Sequence, residues 1–192
     1  MELTKSQKLE YVWKAIKKAY PKKRLVFSNG SPDMPVMIIG EAPGPDEEKQ
    51  GLPFVGRAGK LLNSTLEMLG WKRENFYVSN VVKYRPQDEF GKTLTPTPEE
   101  IEKFRPALEK EIAIVNPKLI VILGRIAMSG LGIEGTMGQN HGKVLEYPST
   151  SSGQARKVLI VYHPAAILRN MTWEPIFRED LAKIRELVNS GQ

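Results

Sequence analysis

The chain has 192 residues, 41% of them hydrophobic and 26% charged, with no long low-complexity tract, a composition that fits an ordinary soluble globular protein and excludes an extensively disordered one. It has no cysteine, which rules out disulfides, thiolate zinc sites, a cysteine nucleophile and any cysteine-ligated iron–sulfur cluster. Lys+Arg number 28 against 22 Asp+Glu, and this net +6 favours a polyanionic partner without demanding one.

The length suits one sizeable core, so a single domain over 1–192 is expected. No run of about 18 apolar residues occurs, and "MELTKSQKLEYVWKAIKKAY" has acidic residues and no apolar signal core. The expectation is a cytoplasmic monomer that does not engage a membrane. Leu9, Val12, Trp13, Ile16 and Tyr20 recur at helical spacing over residues 7–20, and Pro21 stops that first helix. "VMIIG" at 36–40 reads as a strand, and "EAPGPDEEKQGLPFVG" as a long Gly/Pro-rich loop. "RAGKLLNSTLEMLG" places Ala58, Leu61, Leu62, Thr65, Leu66 and Leu69 on one face and closes on Gly70, a C′ glycine.

"FYVSNVVKY" reads as a buried strand and "RPQDEFGKTLTP" as a loop. The helix after it starts with a capping box, Thr97 as N-cap and Glu100 at N3, with Pro98 at N1 where its missing N–H costs nothing. Pro106 predicts a kink or break in that helix. "KLIVILG" is a third strand, "RIAMSGLG" a short helix, and "KVLIVYHP" a fourth strand after a Gly/Ser-rich stretch at 132–155. "EPIFREDLAKIRELV" forms the last helix. Strands that alternate with helices, each a near-continuous apolar run, predict a three-layer α/β/α sandwich around a four-stranded, mostly parallel sheet.

Ligands of such folds bind beyond the carboxyl ends of the strands. "GEAPG" follows the first strand, Asn80 lies in the second, Gly124 and Arg125 follow the third, and His163 ends the fourth, so the unusual residues converge on one edge. The glycines of the long loop let backbone N–H groups approach a ligand, and the loop feeds a helix N-terminus near Arg57 that favours phosphate. The same loop could equally be plain surface. Glu41 and Glu47 add carboxylates to this edge. Phe54 either fills the core or offers a flat face to a base. Asn80 carries a paired donor and acceptor that match a nucleobase edge, or else bonds to neighbouring backbone. His163 is either a core histidine with one backbone partner or a chemical group held by strand and proline, and His141 reads as a loop residue.

Taken together, "GEAPGPDEEKQGLPFVGRAGKLLN", "SNVVKYRP", "PKLIVILGRIA" and "HPAAILRN" resemble the uracil-DNA glycosylase superfamily, most closely its family 4 branch. The resemblance runs from about residue 24 to the C-terminus. It implies that Glu41 and the adjoining backbone organise the water-activating loop and that Phe54 stacks on an extruded base. It further implies that Glu47 closes the pocket against a 5-methyl group, that Asn80 reads the uracil edge and that His163 bonds the uracil carbonyl oxygen. DNA contacts follow for Gly44, Gly56, Arg57, Ala58 and Gly59 around the long loop, and for Arg85 and Arg125 after the second and third strands. "AAILR" becomes the loop that enters the duplex, with contacts from Ala165 and Arg169 and with Ile167 or Leu168 as wedge.

The implied reaction is hydrolysis of the N-glycosidic bond of uracil flipped out of DNA, with no cofactor required. Two alternatives stay open: a glycosylase for hypoxanthine or another modified base, and a catalytically silent DNA-binding module. A nucleotide hydrolase is disfavoured, since no G-x-x-x-x-G-K-[ST] loop occurs. One departure is large. Family 4 members normally hold an iron–sulfur cluster on four cysteines, whose positions correspond here to Trp13, Ile16, Tyr84 and Phe104. Hydrophobic packing is expected to replace the metal, tying the first helix to the region 84–104.

Overall fold

The computed structural model describes residues 2–148 and 155–190. A five-stranded sheet is built from β1 (Val36–Gly40), β2 (Phe76–Asn80), β3 (Leu119–Leu123), β4 (Val144–Tyr147) and β5 (Arg156–Val161), in the order β2-β1-β3-β5-β4. The pairings β1–β2, β1–β3 and β3–β5 are parallel, and β4 alone runs antiparallel, against β5. The α/β/α sandwich therefore has five strands where the sequence predicted four. The extra strand escaped notice because Val144–Tyr147 alternates exposed and half-buried residues at a sheet edge and so lacks an apolar run. The part of the Gly/Ser-rich stretch at 149–154 lies outside the described residues.

Side-chain alternation along the buried strands feeds two cores. Met37, Ile39, Tyr77, Ile120, Ile122, Val158 and Ile160 meet α1 (Lys5–Ala19), α4 (Pro98–Val115) and α5 (Gly124–Gly130) on one face. Val36, Ile38, Val78, Val121, Leu159 and Val161 meet α3 (Arg57–Met68), α7 (Pro164–Arg169) and α8 (Glu174–Asn189) on the other. Between them, a short α2 (Pro45–Gln50) occupies the segment predicted as loop, and its Pro at N1 with acids in the first turn is the signal that marks it. A four-residue α6 (Met137–Asn140) precedes β4. No helix among the described residues is long and apolar enough to cross a membrane.

Local chemistry explains the helix ends. Thr97 and Glu100 form the expected capping box of α4, and α3 closes with the Gly70 N–H on Glu67 O and the Trp71 N–H on Leu66 O, both at 2.9 Å. Of the kink or break expected at Pro106, the break does not occur: α4 runs on through it to Val115. Pro106 sits on the exposed face, where water serves the carbonyl it leaves unpaired, while Phe104, Leu108 and Ile112 hold the helix to the sheet. The strand predicted over 76–84 ends at Asn80, after which the Val81 and Val82 N–H groups still reach Gly40 and Glu41 carbonyls.

Ile16, Tyr84 and Phe104 are buried in one core with Trp13 packed against it. Tyr20 stacks on Phe104 with ring centroids 4.9 Å apart, and Tyr84 meets Phe104 edge-on at 5.7 Å. These side chains join α1, the segment after β2 and the first turns of α4. They do not fit an iron–sulfur cluster, which needs thiolates where the chain places bulky rings and an isoleucine.

Candidate active site

The loops after β1, β2 and β5 enclose a cleft of about 610 Å³ whose walls include Glu41, Glu47, Phe54, Asn80 and His163. The five residues singled out for chemistry thus share one cavity. Gly40, the last residue of β1, makes room for two of them. A Cβ there would stand 2.4 Å from Phe54 Cζ and 2.5 Å from Asn80 Oδ1.

Phe54 adopts φ 58°, a left-handed backbone rare for a bulky residue and costing about 1–3 kcal/mol. The surrounding packing holds it there. Gly59 of α3 lies directly beneath, where a Cβ would come within 2.0 Å of the Phe54 carbonyl oxygen. Gly59 is buried, so the DNA contact assigned to it is corrected: its role is to let Phe54 sit on the helix.

Glu47, 9% exposed, accepts the Gly44 N–H at 3.1 Å and the Gly56 N–H at 2.8 Å, pinning both ends of the segment that carries Phe54. Those two amides are therefore spent on a carboxylate, while both glycines line the cleft. The N–H groups of Arg57 and Ala58 at the start of α3 find no acceptor among the described residues and are the ones available to an anion. Glu41 is raised from its ordinary value by burial, with Arg125 and Arg169 opposing the shift.

Asn80 is 4% exposed, and its side-chain amide makes no hydrogen bond within the described residues. Its backbone is held instead. Lys83 Nζ donates to Asn80 O at 2.7 Å, Ser79 Oγ at 2.6 Å and Glu111 Oε2 at 2.6 Å, which uses all three ammonium protons. Tyr77 and Ser79 hydroxyls complete the shell around Glu111 at 2.9–3.1 Å. Burial works to raise the Glu111 carboxyl, yet Lys83 and the hydroxyls of Ser28 and Tyr77 hold it below its usual value.

His163 is the N-cap of α7, its Nδ1 accepting the Ala165 N–H at 3.1 Å. An imidazole that accepts at Nδ1 carries its proton on Nε2. Burial, then Arg169, lowers His163 from 6.5 to about 4, so the ring is neutral at pH 7 and still a donor. Its centroid lies 6.2 Å from that of Phe54.

"AAILR" is helix α7 rather than a loop. Ile167 is fully buried among the core residues facing α8, so it is corrected as a wedge, which leaves the partly exposed Leu168. Arg85 is also corrected: its guanidinium is spent on Glu48 at 3.0 Å, Gly91 O at 3.0 Å and Thr93 Oγ1 at 3.2 Å. Arg57, Arg125 and Arg169 remain exposed, and Arg57, Arg169 and Ala165 line the cleft. His141 lies outside it, bonded to Asp180 at 3.0 Å.

Asp46, Thr93, Leu94 and Thr95 line the cleft without having been foreseen. The last three belong to a segment of no periodicity, folded over the site by the Arg85 bonds. Lys83 and Glu111 were also missed, although a lysine within the apolar run "NVVKY" demands a buried partner.

Comparison with known families matches residues 27–186 to the Uracil DNA glycosylase superfamily. The chain is 40% identical over 168 residues to the type-4 uracil-DNA glycosylase of Sulfurisphaera tokodaii, covering 84% of this chain and 74% of that protein. It is 38% identical over 168 residues to the type-4 enzyme of Archaeoglobus fulgidus, covering 85% and 81%. To that of Thermotoga maritima it is 35% identical over 195 residues, covering 96% and 97%. A family match across most of the chain, with relatives of this identity over most of their length, leaves one conclusion: the chain belongs to the uracil-DNA glycosylase superfamily.

Proposed function

We propose that this chain excises uracil from DNA by hydrolysing the N-glycosidic bond of an extruded nucleotide, leaving an abasic site. The observation that carries the reading is the joint placement of a strained aromatic face, an unbonded buried amide and a neutral histidine donor around one cavity. The relatives named type-4 uracil-DNA glycosylases support the same reading.

The target bond is hidden in a duplex, so the base must leave the stack at a cost of a few kcal/mol. Stacking on Phe54 offsets roughly 1–3 kcal/mol of that cost. The Asn80 amide, which has no side-chain partner among the described residues, offers its paired donor and acceptor to the uracil edge. Negative charge grows on the base as the bond to C1′ breaks, and the Nε2–H of His163 donates to the carbonyl oxygen that receives it. A neutral donor suits this step because the ring keeps its proton and no charge must be desolvated. Glu41 holds the water that attacks C1′, and Glu47 closes the pocket wall where the 5-methyl of thymine would project.

Outside the pocket, Leu168 fills the space left by the base. Arg57, Arg125 and Arg169, with the free amides of Arg57 and Ala58, bind the flanking phosphates. The test is incubation with oligonucleotides carrying U, T, hypoxanthine or a 5-modified pyrimidine, followed by alkaline cleavage. Cleavage confined to U supports the reading. Cleavage at hypoxanthine alone would move the substrate, and binding without cleavage of any would leave a DNA-binding module.

A further inference from the structure

Residues 14–24 contain Lys14, Lys17, Lys18, Lys22, Lys23 and Arg24 and no acidic residue. The rest of the chain holds 22 of the 28 Lys+Arg and all 22 Asp+Glu, so it is electrically balanced. The whole net charge of +6 therefore resides in eleven consecutive residues. All six cations are exposed, and none forms an ion pair among the described residues.

The fold delivers this segment to the edge that carries the cleft. At its start α1 is tied to the end of α4, Lys5 Nζ donating to Val115 O at 2.8 Å. At its finish Tyr20 stacks on Phe104, near the start of α4. The helix thus runs antiparallel to α4 and brings Lys17 and Lys18 to the edge at which α4 begins, three residues beyond the cleft-lining Thr95. The chain then passes beside the residues that follow Asn80: Leu25 bridges Tyr84, and the Val26 N–H donates to Lys83 O at 2.7 Å.

A solvated surface face is the bland account of a basic run. Complementing the negative end of α1 explains Lys17 and Lys18, which lie in its last turn. It does not explain Lys22 and Arg24, which lie past the helix, nor the density of six cations in eleven residues without an acid. Uncompensated like charge is repulsive in the free protein and is relieved by a polyanion.

We propose that residues 14–24 form a track for the phosphate backbone of DNA flanking the extruded nucleotide. This rests on the reading of the cleft as a pocket for a base in DNA. The phosphates contact Lys18, Lys22 and Arg24 without any base readout, so the track adds affinity for length and not for sequence.

The test uses Lys18→Gln/Lys22→Gln/Arg24→Gln, because Lys14, Lys17 and Lys23 lie over Tyr11, Phe27 and Tyr84 rings whereas these three have no such partner. Binding to a long duplex containing an abasic-site analogue is measured against salt concentration. The variant's log–log slope should be shallower by about two to three, at roughly 0.9 per lost phosphate contact. Its excision of uracil from a pentanucleotide should match the unchanged protein. An unaltered slope would overturn the track. So would a variant that loses affinity for polyglutamate but not for DNA, which would assign the segment to an acidic protein. Failure of the unchanged protein to release uracil from the pentanucleotide strikes the reading of the cleft instead and is seen apart from the slope. Thermal unfolding of the variant, expected to stay cooperative with only a small shift in Tm, verifies its fold.

Discussion

The Lys83 ammonium holds the Asn80 carbonyl at 2.7 Å from the α4 face of the sheet, while the Asn80 side chain lies with Phe54 at the cleft. Adjacent residues of a strand point to opposite faces, so the network through Ser79 and Glu111 grips the backbone from behind without entering the pocket. A rigid backbone at this point gives the amide a fixed direction, which recognition by paired hydrogen bonds requires.

Removing one member of this buried pair should cost far more than removing both. Lys83→Met leaves the Glu111 carboxylate desolvated and unpaired and should destabilise by about 3–5 kcal/mol. Lys83→Met/Glu111→Leu should recover most of that loss in urea unfolding. Excision by the double variant should still fall, because the Asn80 carbonyl has lost its donor. Full activity in a stable double variant would show that the grip on Asn80 is dispensable.

Asn80→Asp should weaken uracil excision and open activity on cytosine, since a carboxylate accepts from the cytosine N4 amino group that the amide N–H₂ opposes. Rates on matched U and C oligonucleotides measure it. Unchanged uracil excision would make Asn80 a structural residue.

The lowered pKa of His163 has consequences for stability and for rate. Between pH 6.5 and about 4 the unfolded chain binds a proton at this ring that the folded chain does not. The associated stability is complete above pH 6.5 and is lost as pH falls through that window, with a size of about 3 kcal/mol. Urea unfolding followed from about pH 4 to 6.5 should show this slope, and His163→Gln should flatten it. The excision rate should show no inflection at 6.5; one there would mean that the ring is protonated in the ordinary range.

Phe104→Ala should cost about 3–5 kcal/mol, because the deleted ring leaves a cavity beneath Tyr20 and Tyr84 with no metal to hold α1 against α4. The protein should also be colourless and indifferent to chelators. A negligible change in unfolding free energy would show that α1 is fastened elsewhere.

The strands that carry the site were legible because β1, β2, β3 and β5 are buried on both faces and read as apolar runs, and their C-terminal ends fix where Asn80 and His163 must lie. β4 was not, since an edge strand with one wet face has no such signature. Glu41, Glu47, Phe54, Asn80 and His163 were legible as unusual residues at strand ends or in the Gly/Pro-rich loop. What they do to one another was not: spacing does not reveal that Glu47 takes the amides of Gly44 and Gly56, or that Gly59 is a seat for Phe54. Ile167 and Leu168 are equivalent in sequence, and only the packing of α7 against α8 buries the first. The bonds of Arg85 were not legible either, because one partner, Glu48, comes from α2 and the others, Gly91 and Thr93, from the aperiodic turn just after Arg85.

The most direct measurement is single-turnover release of uracil from a duplex by the unchanged protein and by His163→Ala, with affinity for an abasic-site duplex measured alongside. Loss of one donor to a developing anion lowers the rate by roughly 10²–10³-fold. A fall of that size is expected for His163→Ala, with DNA affinity largely kept. Equal rates for the two proteins would contradict that expectation and remove His163 from the chemistry.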